Sequence, residues 1–358
     1  MNENTGVYVT AIGCASPDYS ADQERALAEI REEYGPGLTE RSGDLLEKFF
    51  GHPSIERRSL AIQDPGELFG EDADERMDRF TREAVDLSAR ASRKALQQAG
   101  LSPDAVEGLV VNTCTGYICP GVSNYLIEEL GLSRDIHAYD LVGAGCGGAI
   151  PNLELASSIC PADPDEVVLS ISVEICTATF QMGDDPALLL SNALFADGAA
   201  AAVLNHRPPG LQIQASQSIH EPRYRDDIRY VYRNGQLHNQ LSVTLPAKST
   251  RVVSRLVEGF FEEHNLRAGE VEHWAVHPGG ERVINRLQEL VGLSDRQVRP
   301  TRDVLRDYGN LSSASVWFVL RHILDEGMDT GDRCIMLSFG AGLSAHMLLL
   351  ERTGENDE

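Results

Sequence analysis

Twice in this chain a buried-strand pattern or polar lead-in runs into a small-residue bend that opens an apolar helix, and few folds can use that arrangement. In the first instance His137-Ala-Tyr-Asp-Leu-Val reads as a strand, Gly143-Ala-Gly-Cys-Gly-Gly-Ala149 as a tight turn and 150–159 as a helix. The next strand pattern starts at Val167. In the second instance Asp307-Tyr-Gly-Asn-Leu-Ser-Ser-Ala-Ser315 opens a helix running to residue 324, and a strand pattern starts at Cys334. The distance from Cys146 or Asn310 to its following strand is similar, which predicts a duplicated βαβ-type unit. Two such units would bring Cys146 and Asn310 to equivalent places near a pseudo-two-fold axis. Other segments fit the scheme: a helix over 77–100, strands at 108–114, 167–173 and 199–204, helices at 122–130, 252–264 and 282–291, and a strand at His273-Trp-Ala-Val. Strands alternating with helices predict an α/β layered fold with much parallel pairing. Pro208-Pro209-Gly210 is the candidate boundary, giving halves 1–208 and 209–358. Residues 21–75 read only as acidic helices and loops.

Composition excludes several function classes. Fifty-five acids against 31 bases leave a formal net charge of −24, the wrong sign for nucleic acid or an anionic membrane. No apolar run approaches the roughly 20 residues of a membrane span, and the N-terminus lacks the basic-then-apolar pattern of a signal peptide. The expectation is a cytoplasmic protein. Seven scattered cysteines, with no CxxC pair, predict neither a disulfide framework nor a structural metal. Only Lys48, Lys94 and Lys248 are lysines. Acid-rich, lysine-poor composition fits a halophilic origin, where screening makes dense negative charge tolerable; a GC-rich genome is the alternative.

Three residues at similar positions could do chemistry together. Cys146 lies between glycines, which let the backbone bend and a substrate approach, and the following helix turns its positive end toward the sulfur. A small buried residue in a glycine turn is the alternative. His277 ends the His273 strand and precedes Pro278-Gly279-Gly280, where a satisfied buried histidine would also fit. Asn310 could simply cap a helix. As a set, a thiol, an imidazole and a carboxamide make an acyl-transfer constellation.

These pieces, Gly145-Cys146-Gly147-Gly148, Trp274-Ala-Val-His277-Pro-Gly-Gly280, Tyr308-Gly-Asn310-Leu-Ser-Ser313 and Ser338-Phe-Gly-Ala-Gly-Leu343, occur in the right order, and Ser191-Asn-Ala-Leu-Phe195 accompanies them. From Thr10 to Leu350 the chain resembles the type III polyketide synthases, the chalcone-synthase-like family of the thiolase superfamily. The resemblance implies a five-layered αβαβα fold of two similar halves, an obligate homodimer, acyl-CoA and malonyl-CoA as substrates, and neither metal nor bound cofactor. It makes Cys146 the nucleophile, His277 its partner and, with Asn310, the donor to the malonyl thioester oxygen.

The same resemblance assigns a pocket. Phe195 matches a gatekeeper at the CoA tunnel, and Val243 falls where plant enzymes have a second phenylalanine, so a widened cavity is expected. Cys114 matches a cavity cysteine of bacterial tetrahydroxynaphthalene synthases; Cys176 and Thr179 match cavity threonines; Cys119 matches a residue that crosses the dimer interface. The lysine-rich CoA-binding stretch is not reproduced, although Arg57-Arg58 lies nearby. The expected product is an alkyl or aryl pyrone or resorcinol, with naphthalene polyols open. A 3-ketoacyl synthase of fatty-acid initiation and a non-catalytic acyl-CoA-binding homologue are the rival readings. From the acidic composition, the melting temperature should rise in molar KCl; a flat or falling value in a thermal-denaturation series would remove the salt-adaptation reading.

Overall fold

The computed structural model describes residues 6–233 and 236–354. The first half contributes strands β1 (Tyr8–Ala15), β2 (Ser20–Asp22), β3 (Arg57–Ser59), β4 (Val106–Asn112), β5 (His137–Leu141), β6 (Val167–Glu174) and β7 (Gly198–Asn205). Its helices are α1 (Gln23–Tyr34), α2 (Glu40–Phe50), α3 (Pro65–Gly70), α4 (Ala73–Ala99), α5 (Val122–Leu130), α6 (Ala149–Ser158) and α7 (Pro186–Leu194). The second half contributes β8 (Leu211–His220), β9 (Ile228–Arg233), β10 (Gln236–Leu241), β11 (His273–Val276), β12 (Arg333–Gly340) and β13 (Ser344–Arg352), with α8 (Leu245–Glu263), α9 (Glu281–Val291), α10 (Asp295–Tyr308) and α11 (Ser315–Glu326).

Local chemistry explains the longest helix. Asp72 and Glu75 form a capping box at the start of α4 and Gly100, at φ +69°, ends it. Its stripe Phe80, Ala84, Leu87, Ala91 and Ala95 is fully buried. Helix α10, by contrast, was not legible, because Pro300 lies inside it and proline ordinarily marks a break.

Nine strands pair in the order β11-β12-β13-β8-β1-β7-β6-β4-β5. Taken from β4 inward, β4-β6-β7-β1 runs parallel, antiparallel, antiparallel. The segment β11-β12-β13-β8 repeats that sequence of pairings. Among the described strands of this sheet, parallel pairing is therefore limited to β11–β12, β4–β6 and β4–β5, less than the helix–strand alternation suggested. The difference comes from the hairpin return of β13 onto β12 and from β1 and β8, which pair antiparallel at the centre.

Three apolar clusters stack the elements into five layers. Between the two half-sheets lie α6, through Ile150 and Leu153, and α11, through Val316, Trp317 and Leu320. They meet Val110 and Val168 of the first half-sheet and Cys334, Met336 and Leu348 of the second. The opposite face of the first half-sheet, with Leu109, Val111 and Leu169, is covered by α4 and α5. The opposite face of the second is covered by α8, α9 and α10. Strands sandwiched this way are buried on both faces, so they read as continuous apolar runs. The order is α-β-α-β-α, a thiolase-like arrangement. Among the described residues no helix is long and apolar enough to cross a membrane.

Candidate active site

Burying the N-terminal ends of α6 and α11 at the centre of the molecule places their leading turns side by side. Cys146 sits in the 3₁₀ turn Gly145–Gly147 ahead of α6 and is 8% exposed. Gly145 has φ +56°, and a Cβ there would lie 2.9 Å from Ala341 N. The end of β12 presses on the same turn from the other half. A Cβ on Gly340 would fall 2.4 Å from both Ala144 O and Gly147 N, so only glycine allows that approach. Ser338 Oγ donates to Gly147 O at 3.1 Å.

His277 directly follows β11, and its N–H donates to Leu337 O at 2.8 Å. Its ring stands edge-on to Phe339, 5.2 Å between centroids. Phe339 immediately precedes the glycine that abuts the cysteine turn, so one strand end contacts both groups. Asn310 is held by backbone bonds to the segment carrying Phe195: Asn310 N–H donates to Leu194 O at 3.0 Å and Ala196 N–H to Asn310 O at 2.9 Å. Its side-chain Oδ1 accepts from Ser312 N–H at 2.9 Å and from Ser315 Oγ at 3.4 Å. Both acceptor directions being taken, the amide NH₂ is the end left for the site.

Ser312, which the sequence offered only as part of a helix start, is the link between the two halves. It has φ +50°, an unusual conformation for a non-glycine residue. Its Oγ donates to Cys146 Sγ at 3.3 Å and lies 3.3 Å from Cys114 Sγ. Glu174 is a second residue the sequence did not single out. It is fully buried at the end of β6 and accepts from Cys114 N–H at 3.0 Å, Thr115 Oγ1 at 2.9 Å and Ser313 Oγ. Burial raises its carboxyl above the usual range, and those hydrogen bonds oppose the rise. Tyr230 is a third. It lies on β9, and burial, with Cys114 and Cys176 nearby, pushes its phenol well above its ordinary value.

Cys146 and His277 are both neutral when considered alone. Burial pushes the Cys146 thiol up to about 12, with the Ser312 hydrogen bond opposing it, and pulls the His277 imidazole down to about 3. A lone thiolate or a lone imidazolium is disfavoured here by desolvation. Charge on either group therefore needs a counter-charge or a positioned donor beside it.

A recess enclosing about 50 Å³ lies on the Phe195 and Cys176 side of this centre, and Cys146, His277 and Asn310 are not among its lining residues. It is lined by Phe195, Cys176 and Thr179 together with Ile30, Leu68 and Phe69. Val243 is not part of it. The residue sits in the turn between β10 and α8 and is 95% exposed, so its side chain widens no cavity; the hairpin strands before it, not the turn, approach the site. Arg58 faces the recess and braces the Phe195 segment. It is 4% exposed and donates from Nε to Gln23 Oε1 at 2.8 Å and from Nη1 to Phe195 O at 2.7 Å. Arg57 remains exposed. Cys119 is exposed as well.

Behind the cysteine turn stands another buried histidine. His346 is 2% exposed, bonded to Ser218 Oγ at 2.7 Å and Ser344 Oγ at 3.1 Å. A Cβ on Gly147 would lie 3.0 Å from its ring. Burial, with His220 beside it, pulls His346 down to about 4. The folded state thus refuses protons that the unfolded chain takes up below about 6.5, and the contribution is lost as pH falls from there toward 4. His346→Gln keeps both hydrogen bonds but not the titration. Urea unfolding at several pH values should show the wild type losing stability relative to this variant by up to about 1.4 kcal/mol per pH unit; a constant difference would remove His346 as a titrating group.

Comparison with known proteins agrees with this geometry. Residues 2–218 match the family described as FAE1/Type III polyketide synthase-like protein, and residues 213–353 match the chalcone and stilbene synthases, C-terminal domain. A 3,5-dihydroxyphenylacetyl-CoA synthase of Amycolatopsis balhimycina is 31% identical over 86% of this chain and 85% of its own length. The corresponding synthase of Streptomyces toyocaensis is 29% identical over 96% and 89%. The crystal structure of PKS-I from the brown alga Ectocarpus siliculosus superposes with a TM-score of 0.89 at 29% identity, covering 98% of this chain and all of the other. Two strand-for-strand similar halves that converge on a cysteine, a histidine and an asparagine, matched along nearly their whole length, place this chain among the type III polyketide synthases, the chalcone-synthase-like condensing enzymes that transfer acyl groups.

Proposed function

We propose that Cys146 is the nucleophile of this synthase and that His277 and Asn310 stabilise charge on the malonyl-CoA thioester. The observation that carries the reading is Ser312, whose backbone N–H orients the Asn310 amide while its hydroxyl bonds the Cys146 sulfur. Cys146 passes its proton to the His277 imidazole, and the thiolate attacks the carbonyl of an acyl-CoA. The acyl–sulfur bond forms as the CoA–acyl bond breaks, and the leaving CoA thiolate takes the proton back. Malonyl-CoA then binds with its thioester oxygen toward the Asn310 NH₂ and a His277 N–H. Carbon dioxide leaves, and the electron pair becomes an enolate held by those donors. The enolate carbon attacks the Cys146 thioester, lengthening the chain by two carbons and freeing the thiolate. Each donor of this kind contributes a factor of roughly 10²–10³ in rate.

The apolar recess supports an acyl-CoA starter with an alkyl or aryl tail, extended and cyclised to a pyrone or resorcinol. The relatives' names specify a dihydroxylated aromatic ring, consistent with cyclisation to a ring. Phe195, Cys176 and Thr179 line the mouth shared by starter and growing chain; Cys114 and Tyr230 lie on the reaction side. CoA thioesters are the only small molecules this chemistry needs. The chain is read as a cytoplasmic homodimer. Its β5 edge strand is exposed along His137, Ala138 and Tyr139, and Tyr117 and Val142 add apolar surface beside it, a surface that a second copy would cover.

Two experiments test this reading. Cys146→Ala should abolish product while still releasing carbon dioxide from malonyl-CoA, whereas Asn310→Ala should slow that release roughly 100-fold; product formation by the first variant or an unchanged rate in the second would overturn the assignment. Ala26 lies on the wall of the recess, so Ala26→Phe should cut turnover of long-tailed starters about tenfold or more and leave malonyl-CoA decarboxylation intact. Mass spectrometry of products across a panel of starter CoAs reads the change, and an unaltered profile would place the starter elsewhere.

A further inference from the structure

Away from the cavity, one set of donors has no part in the chemistry above. Helix α10 presents Asp303, and α11 presents His322 and, one turn on, Glu326. Their donor atoms lie within 4.8 Å of one another. His322 Nε2 is 3.6 Å from Asp303 Oδ2 and 3.5 Å from Glu326 Oε1.

These separations are informative. An imidazolium bonded to carboxylates would draw them to about 2.7–2.9 Å, and here the Nε2 atom is buried with no hydrogen-bond partner. Two donors sharing one tetrahedral metal at about 2.1 Å stand roughly 3.4 Å apart, close to both distances. The carboxylates are also pre-oriented. Asp303 Oδ1 accepts from Arg306 Nη1 at 2.7 Å and Glu326 Oε2 from Arg299 Nη2 at 2.7 Å. Each arginine occupies one oxygen and leaves the other turned toward the imidazole, as outer-shell partners of metal ligands do. They also offset the two negative charges, which sets the affinity at a modest level.

We propose that Asp303, His322 and Glu326 form a divalent-cation site of the zinc class, with one imidazole, two carboxylates and an open fourth position. One imidazole nitrogen among carboxylate oxygens suits zinc and its neighbours better than magnesium or calcium, which favour all-oxygen shells. The site clamps α10 to α11. Helix α10 ends at Tyr308 and α11 begins at Ser315, so the clamped pair brackets the turn that carries Asn310 and Ser312. The cation is structural, outside the reaction, and the inference stands whether or not the roles given to Cys146, His277 and Asn310 hold.

The test uses the tag-free full chain stripped with EDTA and titrated with ZnCl₂ by calorimetry, with melting temperature read in parallel. The expected result is one tightest zinc per chain and a rise of several degrees in Tm at saturating zinc. In His322→Ala and Asp303→Asn that site weakens at least tenfold and the rise disappears; both changes are near the surface, and circular dichroism checks that the fold survives. CoCl₂ should give the intense visible absorption of a low-coordinate cobalt centre in the wild type and not in His322→Ala. Identical zinc binding and identical Tm shifts in wild type and His322→Ala would overturn the proposal. So would a wild type whose Tm exceeds that of His322→Ala by the same margin in EDTA and in saturating zinc, since that result makes the three residues a plain ion triad.

Discussion

A ladder of buried polar groups ties the central helices to the sheet, and the rest of the molecule depends on it. Asn152 of α6 donates to Val110 O at 3.1 Å, Ile171 O at 2.8 Å and Asn112 Oδ1 at 2.9 Å. Asn112 in turn donates to Ser313 Oγ at 2.8 Å, while Ser172 Oγ donates to Asn112 Oδ1 and Ser170 Oγ to Asn152 Oδ1, each at 2.7 Å. Trp317 of α11 donates its indole N–H to Ser172 Oγ at 3.2 Å. Apolar burial alone would let helices slide between two sheets, because it has no direction. Hydrogen bonds buried in a low-dielectric layer are directional and costly to leave unmade, so they set the register of both helices at once. The leading turns of those helices carry Cys146 and Ser312, and their relative position is therefore decided by the same bonds that stabilise the core.

The second constraint is desolvation. The centre is buried enough that Cys146 and His277 each hold their neutral form, and that same exclusion of water strengthens every donor aimed at a developing oxyanion. Glycines at 145 and 340 make the burial geometrically possible by letting backbone from one half close on backbone from the other. Ser312 and Glu174 then supply polar contacts where a purely apolar wall would leave the thiol and the amide unoriented.

The zinc-class cluster fits the same logic at the surface. The turn bearing Asn310 hangs between two helices packed through Val304, Leu305 and Leu320. A cation linking Asp303 to His322 and Glu326 adds a directional bond where the apolar contacts provide only area.

Much of this was legible before any coordinates. The capped, amphipathic α4, the glycine bend at Cys146, the strand ending at His277 and the order of the four matching motifs are local patterns, and local patterns survive in one dimension; α5 and β11 fall where periodicity put them. What stayed hidden depended on partners distant in the chain. β1, β8 and β13 carry no local signal of their place until antiparallel pairing assembles them. Ser312 and Glu174 look like a helix start and a strand end until hydrogen bonds spanning 166 and 139 residues bring them to the cysteine and the serine turn. Val243 matched a pocket position by alignment alone, and the path of the chain after β10 put it in solvent. The sequence by itself determined which elements form, which faces they bury and which reactive groups are present, since these follow from periodicity and residue chemistry. Only the tertiary structure decided which groups meet, because contact between distant segments is set by the packing register of the whole core.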